Sequence, residues 1–384
     1  NKNFAKKCKK KSIYFIQLLS PTTTKERLKR LKNLGISKQN RDKLHAPVGL
    51  DIGSKMPMEI AVAIVGELTH CWDEIIEVNE IQVNNGGLRL ENVTLLAHGK
   101  ITINHPTSWE KSTIIHNSSS NDDHILLQSQ LTIKGTNLTI NAPEGVYSGS
   151  EVEGIALGDN SKLIITDMDN NPLTHNDVST ISSMNWNSSD PYNGGLEFYS
   201  YGNDNGVILK NSIFHHLIQI KNHGDDVVIS NNTFFNCSKI QQAWGNRLIF
   251  ENNRIYNVTN DVAVRYWGNN GSFANNYFKD HNVTASNGAI HIIGDNTEIV
   301  NNKFINLNSS NTILGLYGSA SNTTISNNTI INANNFAIAM FGSGSNNTIK
   351  ENNLTNVAQG IWGRGENIYI NDNKLNECGW DDSP

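Results

Sequence analysis

The sequence predicts a mainly β protein, in which a right-handed parallel β-helix follows a short α/β fragment. Three observations support this fold class: a repeat of about 23 residues, an excess of asparagine, and an abrupt change in composition near residue 75. A chain of 384 residues is long enough for one elongated repeat domain. We expect a basic fragment over residues 1–75, irregular opening rungs over 76–191, and regular rungs over 192–384.

Charge divides the chain at the same point. Residues 1–75 hold 15 of the 31 basic and 7 of the 36 acidic side chains, whereas the remainder is acidic and holds 55 of the 59 asparagines. The overall net charge of −5 argues against nucleic-acid binding. No run of 18 apolar residues occurs, which argues against a membrane-spanning helix. The four cysteines are scattered, which excludes a disulfide scaffold and a cysteine-cluster zinc site.

The basic fragment has the pattern strand, helix, loop and helix. Residues 12–19 (SIYFIQLL) are β-branched and aromatic, and residues 23–34 place three leucines on one helical face. Pro57 suits the first turn of a second helix over residues 57–68. The lysine-rich residues 1–11 lack the apolar region of a signal peptide and are predicted to form a solvated tail.

Motifs in this fragment resemble the C-terminal end of the XdhC/CoxI family. They are HAPVGLDIG and PMEIAVAIVGEL, with YFIQLLSPTTTKERLKRL fitting the strand, loop and helix before them. The resemblance covers residues 12–69 and implies the tail of a Rossmann-like domain from a factor that handles the molybdenum cofactor. Met56 stands where that family has a helix-capping threonine, and no G-x-G-x-x-G occurs. We therefore interpret the fragment as a vestigial or fused remnant.

Two independent markers repeat along the second segment. The second asparagine of an N-N-x-F/I-like motif recurs at spacings of 21, 21, 23, 26, 26, 25 and 20 residues, and a glycine in the preceding strand recurs at 22, 21, 23, 26, 24, 24 and 23. The asparagines are Asn211, Asn232, Asn253, Asn276, Asn302, Asn328, Asn353 and Asn373. The glycines are Gly202, Gly224, Gly245, Gly268, Gly294, Gly318, Gly342 and Gly365. The shared period indicates a solenoid.

The period and the asparagines together favour a β-helix. Such a period leaves room for three short strands and three turns, and the L-x-x-L-x-L core of a leucine-rich repeat is absent. Equivalent side chains of successive rungs lie about 4.8 Å apart, so stacked amides can hydrogen-bond along the axis. Asparagine also tolerates the left-handed backbone of tight corners. Most asparagine is therefore predicted to be structural, and the N-x-S/T matches are by-products of the turns.

Stretches such as VVISNNTFFN (227–236) and TTISNNTIIN (323–332) resemble PbH1-type right-handed β-helix repeats. These repeats occur in the pectin-lyase-like superfamily, including NosD-like and archaeal surface proteins. The resemblance is clear over residues 192–378, and residues 88–96 and 130–140 resemble opening rungs. It implies a fold and not a function, because this superfold hosts lyases, hydrolases, adhesins and scaffolds.

The strand before each glycine defines an outward face. Apolar residues such as Phe198, Ile220 and Val264 are predicted to point inward, so the residues between them point outward. Three places before the glycines lie Tyr199, Lys221, Gln242, Arg265, His291, Gly315, Ala339 and Trp362. One place before them lie Tyr201, His223, Trp244, Trp267, Ile293, Tyr317, Phe341 and Arg364. The outward columns are rich in aromatic and basic residues.

Exposed aromatic side chains in a row imply a partner. Flat rings stack on sugars, and basic groups between them suit carboxylate or sulfate. The leading hypothesis is a secreted or surface protein that binds polysaccharide, with acidic polymers included among the candidates, and an alternative is a structural or adhesin repeat. The polar stretch 168–194 is expected to fold beside this face as a wall. The predicted binding residues are Tyr199, Tyr201, His223, Trp244, Trp267, Tyr317, Phe341, Trp362 and Arg364.

A polysaccharide lyase is the second alternative. β-Elimination of a uronic-acid polymer needs a base for the C5 proton and a cation for the carboxylate. Residues 246–278 resemble the active-site rungs of chondroitinase B and related alginate lyases, where a lysine and an arginine lie on adjacent rungs. Gln242 occupies the lysine place, and Lys239 falls outside the column. The predicted catalytic residues are Arg265, Lys221 and His291.

Further site types are less favoured by the residues. A hydrolase would need paired carboxylates, and the outward columns contain none. No cofactor or metal site is predicted, with calcium at the turn residues Asp225 and Asp226 kept as an alternative. A location at the cell surface or outside the cell is inferred from composition alone.

Overall fold

The chain divides into two units, Asn1–Trp72 and Asp73–Pro384. In the first unit of the computed structural model, Lys29, Lys32 and Asn33 are helical and exposed, in agreement with the helix predicted over residues 23–34. The predicted strand at 12–19 and helix at 57–68 lie outside the described residues. Those residues are 29, 32, 33, 75–84, 86–117, 124–141, 154–169, 171, 177–183, 196–200, 206–259, 262–283 and 288–379.

The second unit is a parallel β-helix, which confirms the predicted fold class. Each rung contributes one strand to each of three sheets, and every strand pairs in parallel with the equivalent strand of the next rung. Where the structure describes the chain, no helix is both long and apolar enough to cross a lipid bilayer.

The strands are numbered in chain order. Sheet 1 holds β1 (Ile75–Val78), β4 (Thr94–Ala97), β7 (Thr113–Asn117), β10 (Asn137–Asn141), β13 (Ser179–Ser183), β16 (Ser212–His215), β19 (Thr233–Phe235), β22 (Arg254–Tyr256), β25 (Tyr277–Val283), β28 (Lys303–Ser309), β31 (Thr329–Met340), β33 (Asn353–Gly363) and β35 (Lys374–Cys378). Sheet 2 holds β2 (Ile81–Val83), β5 (Ile101–Ile103), β8 (Ile125–Leu127), β11 (Gly154–Leu157), β14 (Leu196–Ser200), β17 (Leu217–Asn222), β20 (Gln241–Ala243), β23 (Val264–Tyr266), β26 (Ile290–Ile292) and β29 (Thr312–Leu316). Sheet 3 holds β3 (Leu88–Glu91), β6 (Thr107–Glu110), β9 (Gln130–Lys134), β12 (Lys162–Thr166), β15 (Gly206–Lys210), β18 (Val228–Ser230), β21 (Ile249–Glu251), β24 (Ser272–Ala274), β27 (Glu298–Val300), β30 (Thr324–Ser326), β32 (Thr348–Lys350) and β34 (Tyr369–Asn371). The long strands β31 and β33 turn a corner, so that their second halves continue sheet 2.

The core follows from strand alternation. Phe198, Ile220 and Val264 are fully or almost fully buried, as their place in the alternation predicts. Aromatic side chains stack from rung to rung inside the solenoid, as in the Phe214–Phe234 pair at 5.0 Å between ring centroids. Burial of each such side chain contributes about 1.5–3 kcal/mol. The rungs therefore hold one continuous apolar core.

A buried asparagine ladder runs along one corner. The backbone N–H and the side-chain Nδ2 of Asn276 both donate to Asn302 Oδ1 at 2.9 Å, and the same Nδ2 donates to the Phe250 carbonyl at 2.8 Å. The ladder comprises Asn232, Asn253, Asn276, Asn302, Asn328 and Asn352. This bears out a structural role for asparagine.

Two assignments in that ladder are corrected by the structure. Asn211 takes the left-handed corner with φ of 49°, and the backbone N–H of Ser212 donates to Asn232 Oδ1 at 3.1 Å in its place. The repeat places Asn353 in the buried row, but the residue there is Asn352, which is 1% exposed. Glu351 takes the left-handed corner with φ of 57°, the place that asparagine fills at the preceding rungs from Asn211 to Asn327, and Asn353 begins β33. The sequence E-N-N shifts the visible N-N pair by one residue, which explains the error.

The glycine marker reflects close contact between turns of successive rungs. A Cβ atom at Gly268 would lie 1.9 Å from the Gly245 carbonyl oxygen, and one at Gly294 would lie 1.8 Å from the Gly268 oxygen. No side chain fits such a gap. At these rungs the glycine is therefore required sterically, whereas Gly318 has no such contact and has a left-handed φ of 64°.

Part of the polar stretch 168–194, which is predicted to be a wall, is a strand of the solenoid. This strand is β13, which pairs with β10 and β16 and belongs to sheet 1. Ser179, Ile181 and Ser183 point inward, and the two small polar residues hid the strand pattern in the sequence. Trp186, Asp190 and Tyr192, which the wall was expected to carry, lie outside the described residues.

Candidate functional site

Strand register places the predicted outward residues of sheet 2 in one column. Lys221 pairs with Gln242, Gln242 with Arg265, and Arg265 with His291. The column continues from Tyr199 at one end to Trp362 at the other. This column and the described side chains one place before the glycines form a surface that we call the aromatic–basic face. The latter side chains are His223, Trp244, Trp267, Ile293, Tyr317, Phe341 and Arg364. Tyr201, a predicted binding residue, lies outside the described residues.

The first aromatic group of this face is a tight stack. The ring centroids of His223 and Trp244 are 4.3 Å apart, those of Trp244 and Trp267 are 4.7 Å apart, and both pairs lie within 3° of parallel. Both flat surfaces of Trp244 are therefore covered by neighbouring rings. Sugar stacking on Trp244, which the sequence suggested, is not available, and a ligand meets the edge of this ring.

The second aromatic group is tilted and ends at Trp362 in β33. His291 contacts Tyr317 at 3.8 Å between ring centroids, Tyr317 contacts Phe341 at 4.9 Å, and Phe341 contacts Trp362 at 5.2 Å. The rings are tilted by 31–36° instead of parallel. Trp362 is 39% exposed and Arg364 is exposed. The indole of Trp362 is thus accessible to a flat ligand.

Cations lie over the aromatic rings. Lys221 Nζ is 4.4 Å from the ring centroid of Tyr199 and 5.8 Å from that of Trp244. Arg265 Cζ is 5.6 Å from the ring centroid of Trp267. Each contact stabilises its cation by about 0.5–2 kcal/mol. The rings therefore hold both positive charges on the face.

A third cation reaches this face from the neighbouring corner. Strand spacing in the sequence places Lys239 outside the column. In the structure its Nζ donates to Gln242 Oε1 at 3.1 Å, and the residue is 7% exposed. The ammonium group of Lys239 therefore lies at the rung between those of Lys221 and Arg265. Spacing alone does not show this, because Lys239 precedes the strand and its long side chain spans the distance.

The face also includes a carboxylate that sequence reasoning missed. Gln219 Nε2 donates to Glu197 Oε1 at 2.7 Å, and both residues are buried. Burial raises the pKa of Glu197, while the hydrogen bond from Gln219 and the charges of Lys221 and Lys239 oppose that shift. The alternation from Tyr199 could have identified it, since Glu197 lies two places earlier on the same side. It remains a single carboxylate, not a pair.

Three predicted residues meet around His291. Arg265 is its strand partner, and the ring of Tyr317 packs against it. Burial raises the pKa of the Tyr317 hydroxyl to about 12, although the positive charge of Arg265 opposes the shift. Asn311 Nδ2 lies 3.3 Å from Tyr317 Oη and donates to it. A cation, an imidazole and a phenol therefore share one site.

The turn residues Asp225 and Asp226 bind an arginine in this structure. Arg247 Nε donates to Asp226 Oδ1 at 2.6 Å, and Arg247 Nη2 donates to Asp225 Oδ2 at 3.0 Å. Hydrogen bonding from Arg247 lowers the pKa of Asp226. The described part of the chain holds no group of three or more His, Cys, Asp or Glu side chains placed to bind a metal ion.

One family profile and one solved structure support the β-helix fold. The family profile described as right handed beta helix region matches residues 262–381, and the XdhC Rossmann domain profile matches residues 2–68. Among solved structures, the periplasmic alginate epimerase AlgG superposes with a TM-score of 0.50 at 12% identity, over 76% of this chain and 77% of that chain. The Streptococcus pneumoniae surface protein and adhesin PfbA gives a TM-score of 0.25 at 13% identity, over 86% and 97%.

One curated protein shares a short, highly similar stretch. It is the tryptophan synthase alpha chain of Pelagibacter ubique (strain HTCC1062), 68% identical over 31 residues. The match covers 8% of this chain and 12% of that protein. The chain thus spans about an eighth of the curated relative that it matches.

Proposed function

We propose that the protein binds an acidic polysaccharide along the aromatic–basic face. The observation that carries the proposal is a row of cations on a domain that is otherwise acidic: Lys221 and Arg265 are partly exposed, and the buried Lys239 lies on the rung between them. Favourable interaction with carboxylate or sulfate is the expected use of such a row. The parallel β-helix fold is shared with an alginate epimerase, but a shared fold does not determine function.

The geometry of the row suits a linear polymer. Lys221 and Arg265 are separated by two strand spacings, or roughly 10 Å. Successive sugars of an extended 1,4-linked chain advance by about one strand spacing, so the two cations would meet the carboxylates of every second sugar. Trp362 offers an exposed indole further along the same column. The polymer would therefore lie parallel to the solenoid axis.

Calorimetric titration with hexasaccharides of polymannuronate, polygalacturonate and chondroitin sulfate tests this function. We expect Arg265→Gln and Lys221→Gln each to weaken binding about tenfold, the effect of one lost charge-assisted hydrogen bond. Arg254→Gln is the matched control, because Arg254 is an exposed cation on sheet 1. Equal losses in all three variants, or no loss in Arg265→Gln, would contradict the proposal.

A second candidate function is β-elimination of the same polymer. The cluster of Arg265, His291 and Tyr317 favours it, because the reaction needs a cation beside the carboxylate, a base for the C5 proton and an acid for the leaving oxygen. The phenol of Tyr317 carries a proton at neutral pH and is the group of the cluster that can donate one to the leaving oxygen. In this scheme Arg265 neutralises the carboxylate and His291 takes the proton.

Release of unsaturated uronides, followed by their ultraviolet absorbance, tests the second candidate. We expect product from the native protein, and at least a hundredfold slower release from Tyr317→Phe, on the scale of acid–base contributions. Tyr317→Phe keeps the ring that packs on His291, so the stack is preserved. If acidic hexasaccharides bind to the native protein but are never shortened, the lyase is excluded and the binding function stands.

A further inference from the structure

A shallow trough lies where β28, β31 and β33 turn away from sheet 1. Its volume is about 420 Å³, and the residues of the aromatic–basic face do not line it. Leu307, Ala333 and Val357 form its floor and are 2–5% exposed. Two rows of exposed asparagines form its walls: Asn306, Asn332 and Asn356 on one side, and Asn308 and Asn334 on the other.

The wall amides hydrogen-bond to each other along the axis, and half of their hydrogen-bond donors and acceptors are not used in these bonds. Asn356 Nδ2 donates to Asn332 Oδ1 at 2.8 Å, and Asn332 Nδ2 donates to Asn306 Oδ1 at 2.8 Å. A primary amide has two N–H donors and an oxygen with two lone pairs. The row therefore uses one N–H and one lone pair of Asn332, and leaves one of each for solvent or a ligand.

The opposite wall has the same pattern. Asn308 Nδ2 donates to Asn282 Oδ1 at 2.8 Å, and Asn334 Nδ2 donates to Asn308 Oδ1. All the lining residues are uncharged. A carboxylate flanks this row at each end: Asp280, whose Oδ1 accepts from Asn306 Nδ2 at 2.9 Å, and Glu377, which lies one rung beyond Asn356 at the same left-handed corner. The trough thus combines paired amides with an aliphatic floor and has no cation.

We propose that this trough is a second glycan site, which binds an uncharged 1,4-linked polysaccharide. An amide that offers one donor and one acceptor matches a pair of neighbouring sugar hydroxyls, and the aliphatic floor matches the C–H surface of the ring. The amides repeat at the strand spacing of about 4.8 Å, so each successive sugar meets a new rung. Asp280 and the lack of cations disfavour the acidic polymer proposed for the aromatic–basic face.

Calorimetric titration of the whole chain with cellohexaose and mannohexaose tests the inference. The test variant is Asn306→Gly with Asn332→Gly, and the matched control is Asn322→Gly with Asn346→Gly. All four asparagines are exposed and have φ of 54–57°, which glycine tolerates, but Asn322 and Asn346 lie outside the trough. We expect the native protein and the control to bind at least one hexasaccharide, and the test variant to bind about tenfold more weakly.

Three outcomes would overturn the inference: no binding of either hexasaccharide by the native protein, equal losses in test variant and control, or loss of neutral binding in Arg265→Gln. The last outcome would place the neutral glycan on the aromatic–basic face. If the double glycine variant melts early, Asn308→Ala gives the same readout from the other wall, where the backbone is not left-handed. Loss of acidic-polymer binding alone leaves this site unaffected, so the two proposals can fail separately.

Discussion

The indole rings of Trp244 and Trp267 stack with centroids 4.7 Å apart and planes within 3° of parallel. This separation is the strand spacing of the solenoid, so strand register alone sets it. The stack continues to His223, which leaves Trp244 with both flat surfaces occupied. Its exposed part is an edge, and the polysaccharide proposal therefore rests on the cations held over the rings.

The stack predicts that the cations contribute more than Trp244 to the binding of acidic hexasaccharides. We expect Trp244→Leu to weaken acidic hexasaccharide binding less than Arg265→Gln does, because Trp244 offers a ligand only its edge. The variant also removes the ring 5.8 Å from Lys221 Nζ, while the contact with Tyr199 at 4.4 Å remains. Calorimetric titration of both variants checks this order, and a larger loss in Trp244→Leu would show that the indole carries the binding.

Salt dependence distinguishes binding by cations from binding by rings. Acidic hexasaccharide binding should weaken as sodium chloride rises from low to physiological concentration, because partly exposed charges are screened. The slope should be smaller in Lys221→Gln than in the native protein. Trp362→Leu is the comparison that keeps every charge and should keep the slope. A native affinity that does not depend on salt would argue against the cation row.

The buried asparagine ladder predicts a large stability loss at its centre. Asn276→Leu removes the acceptor of Asn253 Nδ2 and the donor to the Phe250 carbonyl, leaving buried polar groups without partners. We expect a loss of about 2–4 kcal/mol in the free energy of unfolding, measured by urea titration. Asn275→Gly is the matched control, since Asn275 is exposed with φ of 56°, and its change should be a few tenths of a kcal/mol.

The glycine contact between rungs predicts a steric effect. In Gly268→Ala the new methyl group would lie 1.9 Å from the Gly245 carbonyl oxygen, so successive turns must move apart. We expect a loss of about 3 kcal/mol or more. Gly206→Ala, whose Cβ would lie 3.2 Å from the flexible Lys162 Cγ, should be nearly neutral. Thermal melts of the two variants compare them directly, and similar melting temperatures would contradict the steric interpretation.

A buried histidine predicts a pH dependence of stability. Burial lowers the pKa of His281 to about 4 from the ordinary value of 6.5. Between these values the unfolded chain binds the proton more strongly than the folded chain, so stability falls as pH decreases from about 6.5 to 4. The loss is about 3 kcal/mol. In urea titrations at successive pH values, His281→Leu should make the free energy of unfolding depend less on pH between 6.5 and 4. An unchanged dependence would show that other groups cause it.

Sequence reasoning succeeded where the determinant is local and repeated. The N-N motifs, the glycine period and the alternation at Phe198 and Ile220 follow from one strand-and-corner unit, and each rung repeats the same evidence. It failed where a single rung departs from the pattern. Glu351 replaces a corner asparagine and shifts the ladder to Asn352, and the small polar residues of β13 conceal an inward face.

By itself, the sequence determined the solenoid, its three-strand rungs and the register that aligns the column from Tyr199 to Trp362, because period and alternation are properties of the chain. Only the tertiary structure decided which side chains meet across rungs. It brought Lys239 to Gln242, packed Tyr317 against His291, and set the amides of the trough in two facing rows. Those contacts depend on how far a side chain reaches from its backbone position, which spacing in the sequence does not encode.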